Sequence, residues 1–172
     1  VFLINNNNSL ELYKWIRIKQ EYNVILYSEP LTEDVLRNTK SIIIISYNHL
    51  HIISKRVLFY ANSINSRAIN MHISMLPWNK GRNPNFWSFI ENTPRVVTIH
   101  LLASGLDSGS ILYQESIIFD EHIETLRTSY NRLHALICDL FKKHWQDIIK
   151  GDYVPYEQSG KGSYHNLKMY ED

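Results

Sequence analysis

The sequence contains only one cysteine, Cys138, among its 172 residues. One thiol forms no intramolecular disulfide and no cysteine-based zinc cluster, and no histidines have metal-ligand spacing, so we expect a reducing, cytoplasmic compartment and no metal. Long apolar runs are also missing, since the longest aliphatic stretch, residues 42–45, falls far short of the roughly 20 residues of a membrane helix. The sequence therefore predicts neither an export signal nor a membrane span.

A surplus of charge of one sign is missing as well. Eighteen lysines and arginines stand against 17 aspartates and glutamates, which leaves a formal charge of +1. This balance gives no support for binding by neutralisation of many phosphates, so we expect no nucleic-acid partner. What is present is ordinary for a globular protein: 44% hydrophobic and 20% charged residues, in a length that suits one domain.

Short apolar runs alternate with helical patterns along the chain. Strands are predicted at residues 1–4, 24–27, 41–46, 68–73, 96–101 and 111–119, and an asparagine turn at residues 5–8. Helices are predicted near residues 10–16, 31–37, 54–60 and 86–90, and one long helix runs from Leu126 to a C-cap at Gly151. This order predicts an α/β fold with a Rossmann-like, open, mostly parallel sheet in a single domain. Ligands of such sheets bind beyond the carboxyl ends of the strands.

Three polar residues are candidates for chemistry. Asn70 and His72 lie two apart near the end of a predicted strand, so their side chains point to one face of the sheet. Asp107 lies in the glycine-flanked turn at residues 105–109. A structural role is the plainer interpretation of each residue alone. Together, an amide, an imidazole and a carboxylate can stabilise an oxyanion, move a proton and orient the imidazole during acyl transfer to an amine.

Three motifs contain or follow these candidates. They are Asn70-Met71-His72-Ile73-Ser74-Met75-Leu76-Pro77, Val97-Thr98-Ile99-His100 and Gly105-Leu106-Asp107-Ser108-Gly109. In this order they resemble the folate-dependent formyltransferase family, which includes glycinamide ribonucleotide, methionyl-tRNA and sugar-nucleotide N-formyltransferases. The resemblance implies a formyltransferase-type fold, with residues 1–150 as the catalytic domain and residues 151–172 as a tail that packs on or extends it.

The resemblance also implies a formyl donor and roles for the candidates. The donor would be 10-formyltetrahydrofolate. Asn70 would steady the oxyanion, and His72 would act as a base or as a second hydrogen-bond donor. Asp107 would hold His72 in place and help to carry the proton away. The pterin would lie against two segments, whose candidate residues are Tyr47, Asn48, Leu50, Ile52, Leu102 and Leu106.

The loop at residues 78–88 looks most like that of small sugar N-formyltransferases, which act on nucleotide-linked amino sugars in surface-polysaccharide (lipopolysaccharide) synthesis. There, Lys80 and Arg82 are candidates to pair with a diphosphate and Trp78 to stack on a ring, whereas the alternative interpretation is an exposed cationic loop. The substrate-binding candidates are Trp78, Lys80, Arg82 and Asn83. The alternatives are glycinamide ribonucleotide, methionyl-tRNA or water as acceptor, and a binding protein without turnover.

Two further expectations concern the partner and the remaining histidines. Because many members of the family are dimers, we expect a homodimer that packs through the long helix. His100, in a predicted strand near the candidates, has two interpretations of equal weight: a residue behind the site, or a structural histidine. His49 and His51 alternate with aliphatic residues, as in an ordinary half-exposed segment.

Overall fold

The computed structural model describes residues 2–4, 8–20, 22–120, 122–166 and 168–171. The strands are β1 (Phe2–Ile4), β2 (Leu26–Tyr27), β3 (Ile43–Tyr47), β4 (Arg67–His72), β5 (Lys80–Gly81), β6 (Val96–Leu101), β7 (Ile111–Ser116) and β8 (Tyr164–His165). The helices are α1 (Asn8–Lys14), α2 (Glu33–Thr39), α3 (Lys55–Ser63), α4 (Pro84–Ile90), α5 (Leu126–Lys143), α6 (Trp145–Lys150) and α7 (Lys168–Glu171). A π-helical segment, Trp15–Lys19, continues α1. Of the predicted asparagine turn, residues 5–7 lie outside the described residues.

Six strands form the main sheet, in the order β2-β1-β3-β4-β6-β7. The first four are mutually parallel, and β6 pairs antiparallel with both of its neighbours. The sheet is therefore open and mostly parallel, which confirms the predicted fold class. All five residues of β3 are buried, as the uninterrupted apolar sequence of an interior parallel strand predicts. In the described ranges, no helix has the length and apolar character to cross a membrane.

The two faces of the sheet are covered differently. One face packs against α1, α5 and α6 in the larger core, which takes Ile69 and Met71 from β4. The other face packs Ile44 against α2 and α3 in a smaller core. Because side chains alternate along a strand, Asn70 and His72 fall on the face opposite to Ile69 and Met71. The predicted common orientation of this pair is confirmed.

The single long helix predicted before Gly151 is wrong, because His144 separates α5 from α6. Its backbone leaves the helical region, with φ −103° and ψ 14°, and its ring stacks on Tyr113 with 3.7 Å between centroids. Trp145 then enters the core at 2% exposure. The predicted C-cap is present, since Gly151 ends α6 with a left-handed φ of 75°.

Several boundaries also differ from the sequence prediction. β2 begins two residues later than predicted, and β7 ends at Ser116 and not at residue 119. A second, two-stranded sheet of β5 and β8 pairs Gly81 with His165, and no periodicity predicts it. This pairing brings part of the segment after Gly151 against the loop that follows β4.

A buried polar pair connects β3 to α5 inside the larger core. The Tyr47 hydroxyl is hydrogen-bonded to His134 Nδ1, and Cys138 Sγ lies 3.8 Å from the same hydroxyl. Burial lowers the pKa of His134 to about 4 and raises the pKa of Tyr47 far above its usual value, because each charged form would lose its water. Both groups are therefore neutral at neutral pH.

The depressed pKa of His134 predicts a pH-dependent stability. Its folded-state pKa of about 4 lies below the unfolded value near 6.5, so the unfolded chain gains a proton that the folded chain excludes. We expect the free energy of unfolding to decrease as the pH falls from about 6.5 towards 4, by about 3 kcal/mol from this group. Denaturant unfolding at a series of pH values measures the decrease.

His134→Met is the matched variant, because it keeps a buried side chain of similar length and removes the titrating ring. Its overall stability will be lower, since the Tyr47 hydroxyl loses a partner. The free energy of unfolding of His134→Met should nevertheless decrease less between pH 6.5 and 4 than that of the wild-type protein. Equal pH dependence in the two proteins would show that His134 does not titrate as described.

Candidate active site

Polar side chains form a row across β4, β6 and β7, on the face opposite to the larger core. Asn70 lies directly across from His100, and His72 lies across from Thr98. Thr98 in turn lies across from Gln114, whose Nε2 donates to the Thr98 hydroxyl at 2.9 Å. Since Thr98 and His100 are at most 1% exposed, these groups must satisfy one another or a ligand.

Asp107 joins this row from the turn between β6 and β7. Its carboxylate accepts from Asn70 Nδ2 at 3.0 Å and from the Gly81 backbone N–H at 2.8 Å. His72 Nδ1 lies 3.8 Å from the same carboxylate and His100 Nε2 lies 3.6 Å from it. Burial raises the pKa of Asp107, but the nearby histidines and the Gly81 N–H outweigh burial and hold the pKa below its usual range. The structure therefore brings Asn70, His72 and Asp107 together around an ionised carboxylate.

His72 is oriented by a backbone carbonyl. Its Nε2 lies 3.0 Å from the Asn79 carbonyl oxygen, and because a carbonyl only accepts, Nε2 carries the proton. Nδ1 is then the ring nitrogen without a proton, facing Asp107. The resemblance implies that Asp107 holds His72. Their 3.8 Å separation is an ion-pair distance and is too long for a hydrogen bond, so any such hold is electrostatic, and this role remains a prediction.

Burial decides the protonation state of His72. It is 7% exposed, and burial lowers its pKa, although the Asp107 carboxylate opposes the shift. The charge of Lys80 also favours the neutral ring. At neutral pH, His72 is therefore an imidazole that can accept a proton at Nδ1.

His100 lies directly behind Asn70. Its Nδ1 is 2.8 Å from the Leu101 carbonyl oxygen, which assigns the proton to Nδ1 and leaves Nε2 as an acceptor. Asn70 Nδ2 lies 3.2 Å from that Nε2. The amide nitrogen of Asn70 therefore points its two N–H groups at His100 and Asp107. Of the two interpretations of His100, the structure favours the one that places it behind the site.

The candidate cofactor residues divide between the two faces of the sheet. The Tyr47 side chain is 0% exposed, in the larger core beneath α5, so the prediction that it contacts a cofactor is wrong for this side chain. Leu50, Ile52 and Leu106 are more than 40% exposed, and Leu102 is half-buried, with its N–H bonded to the Ala68 carbonyl. These four remain predictions.

The loop after β3 also carries unsatisfied polar atoms. Asn48 has a left-handed φ of 55°, and its Nδ2 is buried without a hydrogen-bond partner among the described residues. Both ring nitrogens of His49 are likewise buried without a hydrogen-bond partner among the described residues. The His49 ring contacts the His51 ring edge-on. Buried polar atoms without partners are a candidate surface for a ligand that hydrogen-bonds. The resemblance implies a cofactor contact for Asn48, whereas the sequence pattern around His49 indicates an ordinary half-exposed segment.

The candidate substrate residues lie on the loop that supplies Gly81 to Asp107. Trp78 and Lys80 are half-buried. Arg82 donates to the Leu50 carbonyl at 3.3 Å, which connects this loop to the loop after β3. Asn83 is exposed, with a left-handed φ of 52° at the start of α4. The four residues border the site, and their role as substrate contacts remains a prediction. In the described part of the chain, no group of acidic, histidine or cysteine side chains could hold a metal ion.

Comparison with known proteins agrees with this geometry. Residues 19–141 match the family model of formyl transferases, which is most of the chain. The chain belongs to the formyl transferase family. The resemblance in the sequence motifs is thereby confirmed.

Solved structures of this family share the fold. The formyltransferase PseJ from Anoxybacillus kamchatkensis is 37% identical, with a TM-score of 0.87 over 99% of this chain and 86% of that one. Its structure holds UDP-4,6-dideoxy-4-formamido-L-AltNAc and tetrahydrofolate. A sugar N-formyltransferase from Shewanella sp FDAARGOS_354 is 21% identical, with a TM-score of 0.83 over 99% of this chain and 77% of that one. The formyltransferase-type fold is therefore confirmed.

Curated relatives by sequence include the methionyl-tRNA formyltransferase of Clostridium beijerinckii. It is 26% identical over 165 residues, which are 93% of this chain and 48% of that protein. The corresponding Staphylococcus aureus enzyme is matched over 35% of its length. The chain thus spans half or less of the curated relatives that it matches.

The sequence patterns do not single out four residues that support the site in this family member. Asn79 provides the carbonyl for His72, and Glu91 and His165 bond to each other behind it. Gln158 Nε2 donates to the carbonyl oxygens of Asp107 and Gly109 at 2.9 and 2.8 Å. Two of them had a signal in the sequence: Asn79 lies in the loop at residues 78–88 that resembles small sugar N-formyltransferases, and Gln158 begins a stretch at residues 158–164 that also resembles the family, weakly.

Gly81 has two reasons to be glycine. Its φ is 92°, and a Cβ at this position would lie 2.2 Å from the His165 carbonyl oxygen. We expect Gly81→Ala to separate β5 from β8 and to weaken the N–H contact to Asp107, at a cost of about 2–4 kcal/mol. The free energy of unfolding in denaturant measures this cost.

Gly160→Ala is the matched control. Gly160 also has a left-handed φ, of 87°, but a Cβ there would meet no atom within 4 Å. Its substitution should cost only the backbone strain, about 1–2 kcal/mol. A loss in Gly81→Ala no larger than that in Gly160→Ala would contradict the importance of the β5–β8 contact.

Proposed function

We propose that this chain is an N-formyltransferase that moves a formyl group from 10-formyltetrahydrofolate to the amine of a nucleotide-linked amino sugar. The observation that carries the proposal is the convergence of Asn70, His72 and Asp107 on one face of the sheet. The ligands bound to PseJ support the choice of substrates, since a formamido sugar nucleotide and tetrahydrofolate are the two products of such a transfer.

The surface near the site fits a folate. A pterin ring is flat and carries both hydrogen-bond donors and acceptors on its edge. The unpartnered nitrogens of Asn48 and His49 would meet that edge, and the exposed side chains of Leu50, Ile52 and Leu106 would cover the ring faces. When bound, the folate supplies a formyl carbon for attack by the amine and a leaving nitrogen that must receive a proton.

His72 is the group that moves this proton. Its Nδ1 carries no proton and its ring is neutral, so Nδ1 accepts the proton that the acceptor amine loses when the new C–N bond forms. The imidazolium then faces Asp107 at 3.8 Å, and the carboxylate stabilises its charge. His72 returns the proton to the leaving nitrogen as the original C–N bond breaks, so the ring ends neutral.

Asn70 stabilises the oxyanion. Its amide nitrogen holds two acceptors, Asp107 at 3.0 Å and His100 at 3.2 Å. A developing oxyanion replaces the longer contact, to His100, and leaves the amide anchored on Asp107. A donor of this kind is worth about 10²–10³ in rate.

The acceptor would bind along the loop that follows β4. Lys80 and Arg82 offer positive charge for a diphosphate, and the half-buried Trp78 offers a ring face for a sugar or base. Arg82 also reaches Leu50 at 3.3 Å, so the nucleotide-sugar and folate surfaces adjoin. Transfer to a sugar needs the two substrates side by side.

The cellular setting follows from these substrates. We infer that the chain acts in the cytoplasm, where nucleotide sugars and reduced folates are available, in the synthesis of a surface polysaccharide such as lipopolysaccharide. A net charge of +1 supports a small-molecule acceptor over a nucleic acid. A homodimer through α5 and a catalytic domain over residues 1–150 complete the proposal.

The test is an acceptor panel. Purified protein and 10-formyltetrahydrofolate are incubated with UDP- and dTDP-linked amino sugars, glycinamide ribonucleotide, methionyl-tRNA, or no acceptor. We expect tetrahydrofolate release only with an amino-sugar nucleotide, together with a mass gain of one formyl group on that sugar. An N-acetylated version of the same nucleotide sugar is the control, because its amine is blocked.

Each other outcome of the panel contradicts the proposal in a specific way. Release without an acceptor would identify a formyltetrahydrofolate hydrolase. Release with methionyl-tRNA or glycinamide ribonucleotide alone would assign the chain to those branches. Absence of release throughout would favour a binding protein without turnover.

Substitutions at the site test the assigned roles. We expect Asn70→Ala, His72→Ala and Asp107→Asn to leave the circular dichroism spectrum unchanged and to lower kcat at least 10²-fold, because each removes a charge or donor used in the transition state. Steady-state kinetics with the preferred acceptor measure the loss.

Controls of the same residue types lie on the surface. Asn62→Ala, His122→Ala and Asp152→Ala change exposed residues and should retain wild-type kcat. Unchanged kinetics in His72→Ala would remove the base from the proposed reaction.

A further inference from the structure

The carbonyl that orients His72 belongs to a residue whose other polar groups are all occupied. Asn79 is 0% exposed and has a left-handed φ of 55°. Its Oδ1 accepts from the Thr93 hydroxyl at 2.7 Å, and its backbone N–H donates to Ser163 Oγ at 2.9 Å. Its Nδ2 donates to Glu91 at 2.7 Å. Only the carbonyl remains, and it faces His72.

Glu91 is the acceptor at the centre of this arrangement. It follows directly on α4, and three donors from two segments converge on its carboxylate. Asn79 Nδ2 and Ser163 Oγ donate to Oε2, and His165 Nε2 lies 2.8 Å from Oε1. A carboxylate suits this position because it accepts at both oxygens, whereas an amide would direct two N–H groups at one set of donors.

His165 is itself held firmly. Its ring is 5% exposed and stacks on Trp87 with 3.9 Å between centroids and 7° between planes. Its backbone pairs with Gly81 in the small sheet. Glu91 thus joins three parts of the chain: α4, the loop after β4 and the segment after α6. Only Asn79 lies between Glu91 and His72 in this series of contacts.

We propose that Glu91 is a positioning residue for formyl transfer. Through Asn79 it holds the carbonyl that keeps the proton of His72 on Nε2, and it thereby presents Nδ1 as the base. The effect on catalysis rests on the proposed function. The position of the proton on His72, in contrast, is a property of the folded protein and is measurable without any turnover.

The other polar groups that face His72 do not fix this proton. Asp107 lies 3.8 Å from Nδ1 and favours a proton there. Lys80 acts on the whole His72 ring through its charge, which favours the neutral form. The Asn79 carbonyl is therefore the contact that selects the tautomer, and loss of its support should let Asp107 draw the proton to Nδ1.

The test is Glu91→Gln, which keeps the side-chain shape and removes the charge. Long-range ¹H–¹⁵N correlation spectra of ¹⁵N-histidine-labelled protein report the tautomer, with His72→Gln used to assign the signals. We expect a single Nε2–H tautomer of His72 in the wild-type protein and a mixture in Glu91→Gln. We also expect kcat to fall about 10- to 100-fold with little change in KM for either substrate.

Glu157→Gln is the control. Glu157 is an exposed carboxylate in the segment after α6 that accepts from Ser110 Oγ at 2.7 Å. Its substitution, like that of Glu91, removes one hydrogen-bonded charge. It should leave both the tautomer and kcat unchanged. Should Glu91→Gln fail to fold, Thr93→Val removes a different bond of Asn79 at nearly constant volume, and we expect the same changes in smaller degree.

The outcomes separate the two proposals. A wild-type tautomer together with wild-type kcat in Glu91→Gln, or in Thr93→Val if that variant is used, overturns the role of Glu91. A tautomer that changes in a protein without formyl transfer supports the positioning role and overturns the proposed function. A fall in kcat with an unchanged tautomer also overturns the positioning role, since the loss would then have another cause.

Discussion

A buried carboxylate that must remain ionised governs the arrangement of this site. Asp107 is 8% exposed, and an uncompensated charge at such a depth would cost several kcal/mol. Donors from separate segments compensate it: the Asn70 amide from β4 and the Gly81 N–H from the loop after β4. The position of that loop is therefore tied to the charge, and the loop in turn supplies the carbonyl for His72.

The sheet makes this possible because its two faces have different tasks. The face with Ile69 and Met71 is covered by α5 and carries much of the hydrophobic stabilisation. The opposite face of the same strands is left to Asn70 and His72, so these two side chains stay out of the larger core. Strand β6, which runs antiparallel to both of its neighbours, sets His100 directly beside Asn70. The same strands therefore contribute to the core on one face and hold the site residues on the other.

The sequence predicts those features that local spacing determines. Asn70 and His72 lie two positions apart, and a strand period of two then requires a common face, whatever the rest of the fold. The same rule explains the error at Tyr47: it follows Ser46, which lies beside Asn70 in the sheet, and so its own side chain must point to the other face. The break at His144 was hidden because the apolar period continues from Ile137 through Trp145. The Glu91–His165 bond joins residues 74 apart, and no local pattern connects them.

The segment after α6 is where sequence pattern and site differ most. It has little regular structure, yet Gln158 donates to the carbonyl oxygens of Asp107 and Gly109. On the other side of the site, Ser163 bonds to Asn79 and His165 pairs with Gly81. The segment after α6 therefore contacts both the Asp107 turn and the loop after β4. Because the loop with Lys80 and Arg82 is the same loop that supplies Asn79 and Gly81, a ligand that displaces its charged side chains acts on a backbone already bonded to His72 and Asp107. Under the proposed function, binding on that loop would therefore act on His72 and Asp107 through the peptide groups of Asn79 and Gly81.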